Sequence, residues 1–317
     1  MADQPPADDG PLSPEDEAPA RDELARRETD LEVSIFDGVL GHDANPVLPV
    51  RLKADDRFCF SCHRGVPCWN TCCYGTDITL TPFDILRLTR RLGVKASEFL
   101  ERYTVPATWE KAGMPVAKLK VQGRKGDGPC VFLDEEEGCT VYSDRPATCR
   151  YYPLGLAAVK MKGQEKEEDF HFLVKESHCQ GHEEDKLQSV AEFRSEQGVE
   201  PYDEQNRGWI EIMMKMVSWR SIGGPGGREP SPETKRMFFM VSTDIDALRR
   251  FVFDTKFLDT YWIDEDDVER LKTDDEALLA LGFDWMKNVL FNVSTLPMRE
   301  DVLKRATAKA RTDVGAG

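Results

Sequence analysis

Five of the nine cysteines in this chain lie within fifteen residues, from Cys59 to Cys73, and two of them, Cys72 and Cys73, are adjacent. The other four are Cys130, Cys139, Cys149 and Cys179, and no cysteine follows. A chain of 317 residues buries enough surface to fold without covalent cross-links. The cysteines therefore need a chemical explanation, and any shared role requires distant segments of the chain to meet.

The redox compartment decides whether these cysteines are disulfides or ligands. The first residues, MADQPPADDG, lack the basic and apolar parts of a signal peptide, and no apolar run approaches the roughly 20 residues of a membrane helix. We therefore expect a cytoplasmic protein with no membrane partner. In that compartment thiols stay reduced, and an odd number of cysteines also fits pairing poorly.

Thiolates in this number favour a metal centre. Zinc and iron both accept soft sulfur donors, and eight or nine cysteines can fill two sites of four ligands. Adjacent side chains such as those of Cys72 and Cys73 point in different directions, so they suit a polynuclear cluster or two nearby sites. The spacing is neither that of a zinc ribbon nor that of a bacterial ferredoxin. We favour an iron–sulfur cluster, with zinc as the alternative, and regard Cys59 most simply as a small buried apolar residue.

Several ordered blocks of the sequence resemble the bacterial and archaeal cysteine-cluster family, which is described as zinc- or iron-chelating and often as iron–sulfur-cluster-containing. The blocks are Phe60-x-Cys62 with Cys68 and Cys72-Cys73; Ile78-Thr-Leu80-Thr81-Pro82-Phe-Asp84-Ile85; Cys130-x-Phe132-Leu133; Gly138-Cys139-x-Val-Tyr142; and Arg145-Pro146-x-x-Cys149-Arg150-x-Tyr152-Pro153. The resemblance implies that the metal ligands come from Cys62, Cys68, Cys72, Cys73, Cys130, Cys139 and Cys149, and Cys179 resembles the family's late cysteine block. It spans roughly residues 58–182.

The chain departs from the family's pattern at its first cysteines. The family typically places two residues between successive cysteines before the adjacent pair. Here five residues separate Cys62 from Cys68, and three separate Cys68 from Cys72. The cysteines remain available, but their grouping is left open.

Other polar residues near the cysteines are weaker candidates. Arg145 and Arg150 could offset the negative charge of thiolates, with structural ion pairs as the simpler role. His178 and His182 flank Cys179 and could add nitrogen ligands, although solvated histidines are the simpler expectation, as for His63. Tyr151 and Tyr152 are expected in the core.

Local signals predict an α+β fold with a small cysteine-rich module followed by a mostly helical region. Thr81-Pro82-Phe83-Asp84 predicts a helix start, Gly93 its end, and a second helix is expected from Ser97. Cys130–Leu133 and Cys139–Tyr142 are predicted as two strands, each beginning with a cysteine, and Pro146 as the first turn of a short helix that carries Cys149. The predicted divisions are an acidic disordered leader at 1–32, a metal-binding domain at 47–185, a helical region at 186–303 and a tail at 304–317.

In the helical region, Trp209, Ile212, Met213, Met216 and Val217 are predicted to form the core-facing side of one helix. The glycines from Gly223 to Gly227 interrupt the chain, and Ser231-Pro232 starts a new helix. Further helices are predicted over 244–258 and 274–291, the second beginning with a capping box of Thr273 and Glu276.

The charge distribution and the absence of common catalytic and nucleotide-binding motifs limit the classes of function to be considered. Of the net charge of −16, residues 1–32 contribute 11 − 3 = 8 negative charges, and no basic footprint for nucleic acid exists. We treat the leader as solvated, with docking to a basic partner as the alternative. No H-E-x-x-H, phosphate loop, nucleophile elbow or ordered G-x-G-x-x-G is found. A redox role with an unidentified redox or protein-substrate partner is expected first; the alternatives are a zinc-binding structural or metal-handling module and an enzyme like the flagellin lysine N-methylases, which carry a similar domain.

Overall fold

The computed structural model describes residues 52–123, 126–160, 167–223 and 229–305. The predicted leader and most of the predicted tail lie outside the described residues, as do four of the five residues from Gly223 to Gly227. The described part is an α+β fold, as predicted. Its helices are α1 (Pro82–Leu92), α2 (Ala96–Tyr103), α3 (Ala147–Tyr151), α4 (Val190–Gln197), α5 (Glu200–Ser221), α6 (Pro232–Thr243), α7 (Ile245–Phe253), α8 (Phe257–Thr260), α9 (Glu265–Leu271) and α10 (Asp275–Phe291).

The strands form short antiparallel pairs. They are β1 (Arg57–Cys59) with β8 (Leu187–Ser189), β2 (Thr104–Trp109) with β3 (Met114–Leu119), β4 (Leu133–Asp134) with β5 (Gly138–Cys139), and β6 (Leu154–Lys160) with β7 (Glu167–Leu173). The pairing of β1 with β8 sets Cys59 opposite Leu187. It thereby returns the chain that follows Cys179 to the segment that precedes Cys62.

Helix α1 begins and ends as its sequence predicts. The Thr81 hydroxyl accepts from the Asp84 backbone N–H at 3.1 Å, the Asp84 carboxylate accepts from the Thr81 N–H at 2.8 Å, and Gly93 closes the helix at φ 65°. Reciprocal bonds of this kind satisfy donors that the first turn leaves open. Helix α2 begins at Ala96, one residue before the predicted start.

The predicted hairpin of the cysteine region is present, but it is shorter than expected. Strand β4 begins at Leu133, not at Cys130, and Cys139 is the last residue of β5 rather than the first of its strand. The reason is a competing partner: the Cys130 N–H donates to the Cys73 carbonyl at 2.7 Å, which ties it to the first cysteine segment. Helix α3, with Cys149 inside it, follows Pro146 as predicted.

Helices α5 to α10 pack around the predicted apolar face. Ile212, Met213 and Met216 are buried, and Trp209 and Val217 pack against the same core. This core also contains Phe83 of α1 and Met114 of β3, among other residues. The helical region therefore packs directly on elements of the cysteine-containing region.

Two helix boundaries differ from the predictions. The span 244–258 is divided into α7 and α8, where the Thr255 hydroxyl donates to the Phe251 carbonyl at 2.7 Å and ends the first helix. Helix α10 is capped by Asp274, whose carboxylate accepts from the backbone N–H groups of Glu276 and Ala277. Asp274, rather than Thr273, serves as the N-cap because an aspartate also interacts favourably with the positive end of the helix dipole. Within the described residues, no helix is long and apolar enough to cross a membrane.

Candidate metal centre

All nine cysteines carry free thiols. The first segment is compacted by successive turns: the backbone N–H groups of Val66, Trp69 and Cys73 donate to the carbonyls of His63, Val66 and Asn70 at 2.9–3.0 Å. These turns take up the longer spacing after Cys62, so Cys62, Cys68 and Cys72 stay close despite the departure from the family's pattern. Cys72 and Cys73 lie on a single 3₁₀ turn, Thr71–Cys73.

The later cysteines reach this segment through close backbone contacts at two glycines. At Gly138, next to Cys139, a Cβ atom would lie 2.7 Å from the Trp69 ring, and at Gly181 it would lie 2.8 Å from both Phe60 and the Ser61 carbonyl. Only a residue without a side chain allows such an approach.

Cys62, Cys68, Cys72 and Cys179 form the first thiol group. The pKa of Cys62 is raised to about 11, first by burial and then by the thiols of Cys72, Cys68 and Cys179. The Cys68 sulfur accepts a hydrogen bond from the backbone N–H of Gln180 at 3.2 Å. These contacts unite residues that are more than a hundred positions apart in the sequence.

Cys73, Cys130, Cys139 and Cys149 form the second thiol group. Burial raises the pKa of Cys149 most, and the thiols of Cys130, Cys72 and Cys139 raise it further. The thiols of Cys149 and Cys130 likewise raise the pKa of Cys73. Cys149 itself is exposed to solvent.

Cys72 joins the two groups. The hydrogen bond between the Cys72 and Cys73 side chains lowers the pKa of Cys72 to about 7 and raises that of Cys73. Cys72 also contributes to the raised pKa values of Cys62, Cys130, Cys139 and Cys149. Thiolates are the form that binds metal, and this hydrogen bond favours the thiolate at Cys72 over that at Cys73.

A family model agrees with this region of the chain. Residues 61–180 match the CxxCxxCC model, described as "Putative zinc- or iron-chelating domain". The matched residues 61–180 are called the cysteine-cluster domain below. The match includes both thiol groups and leaves out Cys59, and it supports metal binding without distinguishing iron from zinc. No solved structure matches the chain.

The donor set of the cysteine-cluster domain fits a thiolate-bound metal. Two groups of four sulfurs supply the ligand type that zinc and iron–sulfur centres use. Beside Cys179, the Tyr152 hydroxyl interacts with the Cys179 thiol, and the Nε2 atom of His178 lies 3.6 Å from the Glu176 carboxylate. No three His, Cys, Asp or Glu side chains of the described residues are already arranged as a metal site.

Arg145 supplies positive charge to both thiol groups. It is buried, and its guanidinium partly offsets the rise in the pKa of Cys62 in the first group and of Cys139 in the second. Its Nη1 donates to the Tyr142 carbonyl at 2.7 Å, and its guanidinium lies 3.9 Å from the centre of the Tyr142 ring. Arg145 forms no ion pair with a carboxylate in the described part of the chain. A buried cation is costly unless anions compensate it, and thiolates at Cys62 and Cys139 would do so.

Arg150 and Asp84 have structural roles: both form hydrogen bonds that hold neighbouring segments of the chain together. Arg150 donates to the Ser143 carbonyl at 2.6 Å and to the Tyr202 hydroxyl at 3.2 Å. Asp84 is fully buried and accepts from the Ala147 backbone N–H at 2.8 Å, which holds the start of α3 against α1. Burial raises the pKa of Asp84 to about 6. Asp84, which belongs to one of the sequence blocks that resemble the family, thus helps to place Cys149.

Cys59 and the histidines lie outside the two thiol groups. Cys59 is exposed on β1, so the expectation that it is a buried apolar residue is wrong. His63 contacts Glu184 at 3.1 Å, and His182 contacts the Val174 carbonyl at 3.1 Å and packs on the Phe60 ring. His178 and His182 are half-buried rather than solvated. Of the two tyrosines, Tyr151 is buried and Tyr152 packs against the same core cluster.

Proposed function

We propose that the two thiol groups bind an iron–sulfur centre and that the protein serves a redox function. The supporting observation is the convergence of eight cysteines from three chain segments into two groups that share Cys72. A shared or adjacent thiol pair suits a polynuclear centre better than one isolated ion, since one ion needs four sulfurs around a single point.

The first group would hold the metal through Cys62, Cys68, Cys72 and Cys179, and the second through Cys73, Cys130, Cys139 and Cys149. A bound iron–sulfur centre would supply reversible one-electron transfer. The protein's own contribution is electrostatic: Arg145 offsets thiolate charge, and the backbone N–H of Gln180 donates to the Cys68 sulfur. Both interactions favour the more reduced, more negative state of a centre and so raise its reduction potential.

Zinc is the second candidate, and the division into two groups of four thiols favours it. Four cysteines close the coordination shell of a structural zinc ion, which would then hold the three segments together without redox chemistry. Under this alternative the domain is a structural or metal-handling module.

One set of measurements on the full chain, purified without oxygen, distinguishes the two. We expect iron and acid-labile sulfide bound to the protein, with visible absorption that bleaches on reduction. A colourless protein with stoichiometric zinc and no sulfide would reject the iron–sulfur proposal and support the zinc alternative. Protein that retains neither metal while remaining folded would reject both.

A further inference from the structure

Gln197, the last residue of α4, contacts both buried arginines near the thiols. Its side-chain Oε1 accepts from Arg145 Nη2, and its backbone carbonyl accepts from Arg150 Nη1 at 2.5 Å. Gly198 follows in the left-handed conformation, at φ 61°, and ends the helix there. Gln197 lies beyond residues 61–180, so it is not part of the matched family domain.

These two contacts separate the roles of the side chain and the backbone. A substitution of Gln197 removes the partner of Arg145 but leaves the carbonyl that binds Arg150. Arg145 would still have the Tyr142 carbonyl and ring on its other side. The Gln197 side chain therefore acts selectively on the position of one guanidinium group.

The amide of Gln197 is chemically distinctive as a partner for a buried arginine. A carboxylate at this position would hold the guanidinium more strongly, but it would also cancel its charge. A neutral amide oxygen orients the group and leaves its positive charge, which favours the thiolate forms of Cys62 and Cys139, uncancelled. Four thiolates around a divalent ion carry two excess negative charges, which a nearby uncompensated cation stabilises.

We propose that Gln197 is a positioning residue that holds Arg145, uncompensated, beside the thiolates of the metal centre. The proposal rests on the metal-binding function proposed above. It also extends the centre beyond the cysteine-cluster domain, because helix α4 supplies the residue that orients its buried cation.

The test uses zinc as the probe and the full chain in reduced form. The measured quantity is the concentration of a competing chelator that removes half of the bound zinc. We expect Gln197→Met, which removes the acceptor, and Arg145→Gln, which removes the cation, each to weaken zinc retention about tenfold. Gln197→Glu keeps an acceptor but cancels the charge, and we expect a loss of similar size. A merely structural role predicts instead that Gln197→Glu retains zinc like the unmodified chain.

Combining the changes tests whether Gln197 acts through Arg145. In the Arg145→Gln background, Gln197→Met should produce little further loss, because its partner is already gone. The matched control is Asn288→Leu, which removes an amide at the end of α10 whose Nδ2 donates to the Val293 and Leu296 carbonyls at 3.2 and 3.3 Å and should leave zinc retention unchanged. Normal retention in Gln197→Met and Gln197→Glu, or full additivity with Arg145→Gln, would overturn the proposal alone. An unmodified chain that binds neither zinc nor iron would overturn the proposed function as well.

Discussion

A single buried carboxylate, that of Asp84, connects two helices of the cysteine-cluster domain. One oxygen accepts from the Thr81 N–H in the capping box of α1, and the other accepts from the Ala147 N–H at the start of α3. An asparagine could preserve only one of these two bonds. Because Cys149 lies on α3, losing the bond to Ala147 would also disturb the position of Cys149 in the second thiol group.

We therefore predict that Asp84→Asn lowers the free energy of unfolding by about 1–3 kcal/mol, the cost of a buried donor left unpaired. It should also weaken metal retention. Chemical denaturation of the metal-loaded chain and elemental analysis of the purified variant measure the two effects.

The matched control is Glu192→Gln in the capping box of α4, where the carboxylate accepts from the backbone N–H of Ser189, the N-cap of the same helix. Its metal content should be unchanged. Equal metal content in both variants would contradict a role for Asp84 in placing Cys149.

For single residues, the sequence predicts which residue types are functional better than it predicts which residues they contact. The cysteine pool follows from thiolate chemistry and the family's motif blocks, although its role as a ligand set stays a prediction. Arg145 could be selected as a nearby cation, but that it pairs with no carboxylate of the described residues could not be foreseen. Gln197 carries no sequence signal, since its role depends on the end of α4 reaching α3, which only the tertiary structure shows.

Among the elements, α3 depends strongly on its surroundings. A helix of five residues is unstable alone, because nucleation costs more than one turn of hydrogen bonds returns. Asp84 holds one end of α3, and a metal bound through Cys149 would hold its middle.

We predict that metal removal by a chelator under reducing conditions increases amide hydrogen exchange in Ala147–Tyr151 and in the Thr71–Cys73 turn. Helix α10, whose buried residues belong to the helical core, is the internal reference and should keep its protection. Exchange unchanged in all three segments would show that the metal, if bound, does not stabilise the cysteine elements.

Elements with local signals are predictable, and those made by distant pairing are not. Thr81, Pro82 and Gly93 fix α1 through contacts within a few residues, so its bounds follow from the sequence. Strand β1 pairs with β8 across more than a hundred residues, and no local pattern marks so short a strand. Cys130 was predicted in a strand with its neighbours in sequence, yet it pairs with Cys73, a partner that pattern reasoning cannot identify.

For the whole molecule, the shared core joins the helical region to α1 and β3. Phe83 and Met114 lie in the same apolar cluster as Leu278 of α10. We propose that the two regions unfold together, although they differ in sequence character at about residue 186.

Leu278→Ala tests this coupling, because Leu278 is fully buried. The substitution should lower stability by about 2–5 kcal/mol, through lost burial and the cavity left behind. Helix content and bound metal, followed during the same denaturant titration, should be lost together at a lower midpoint. Val289→Ala, at an exposed position of the same helix, should change neither midpoint appreciably. Metal loss at the original midpoint, after the helices have unfolded, would show two independent units.

In the metal centre that we propose, eight cysteines supply the ligands and Cys59 alone stands outside. Brief alkylation of the natively isolated chain, followed by mass spectrometry, measures which thiols the metal protects. We predict rapid labelling of Cys59 alone before chelation, and labelling of exposed cysteines such as Cys62, Cys72 and Cys149 after it. Equal labelling of these exposed thiols before and after chelation would contradict the claim.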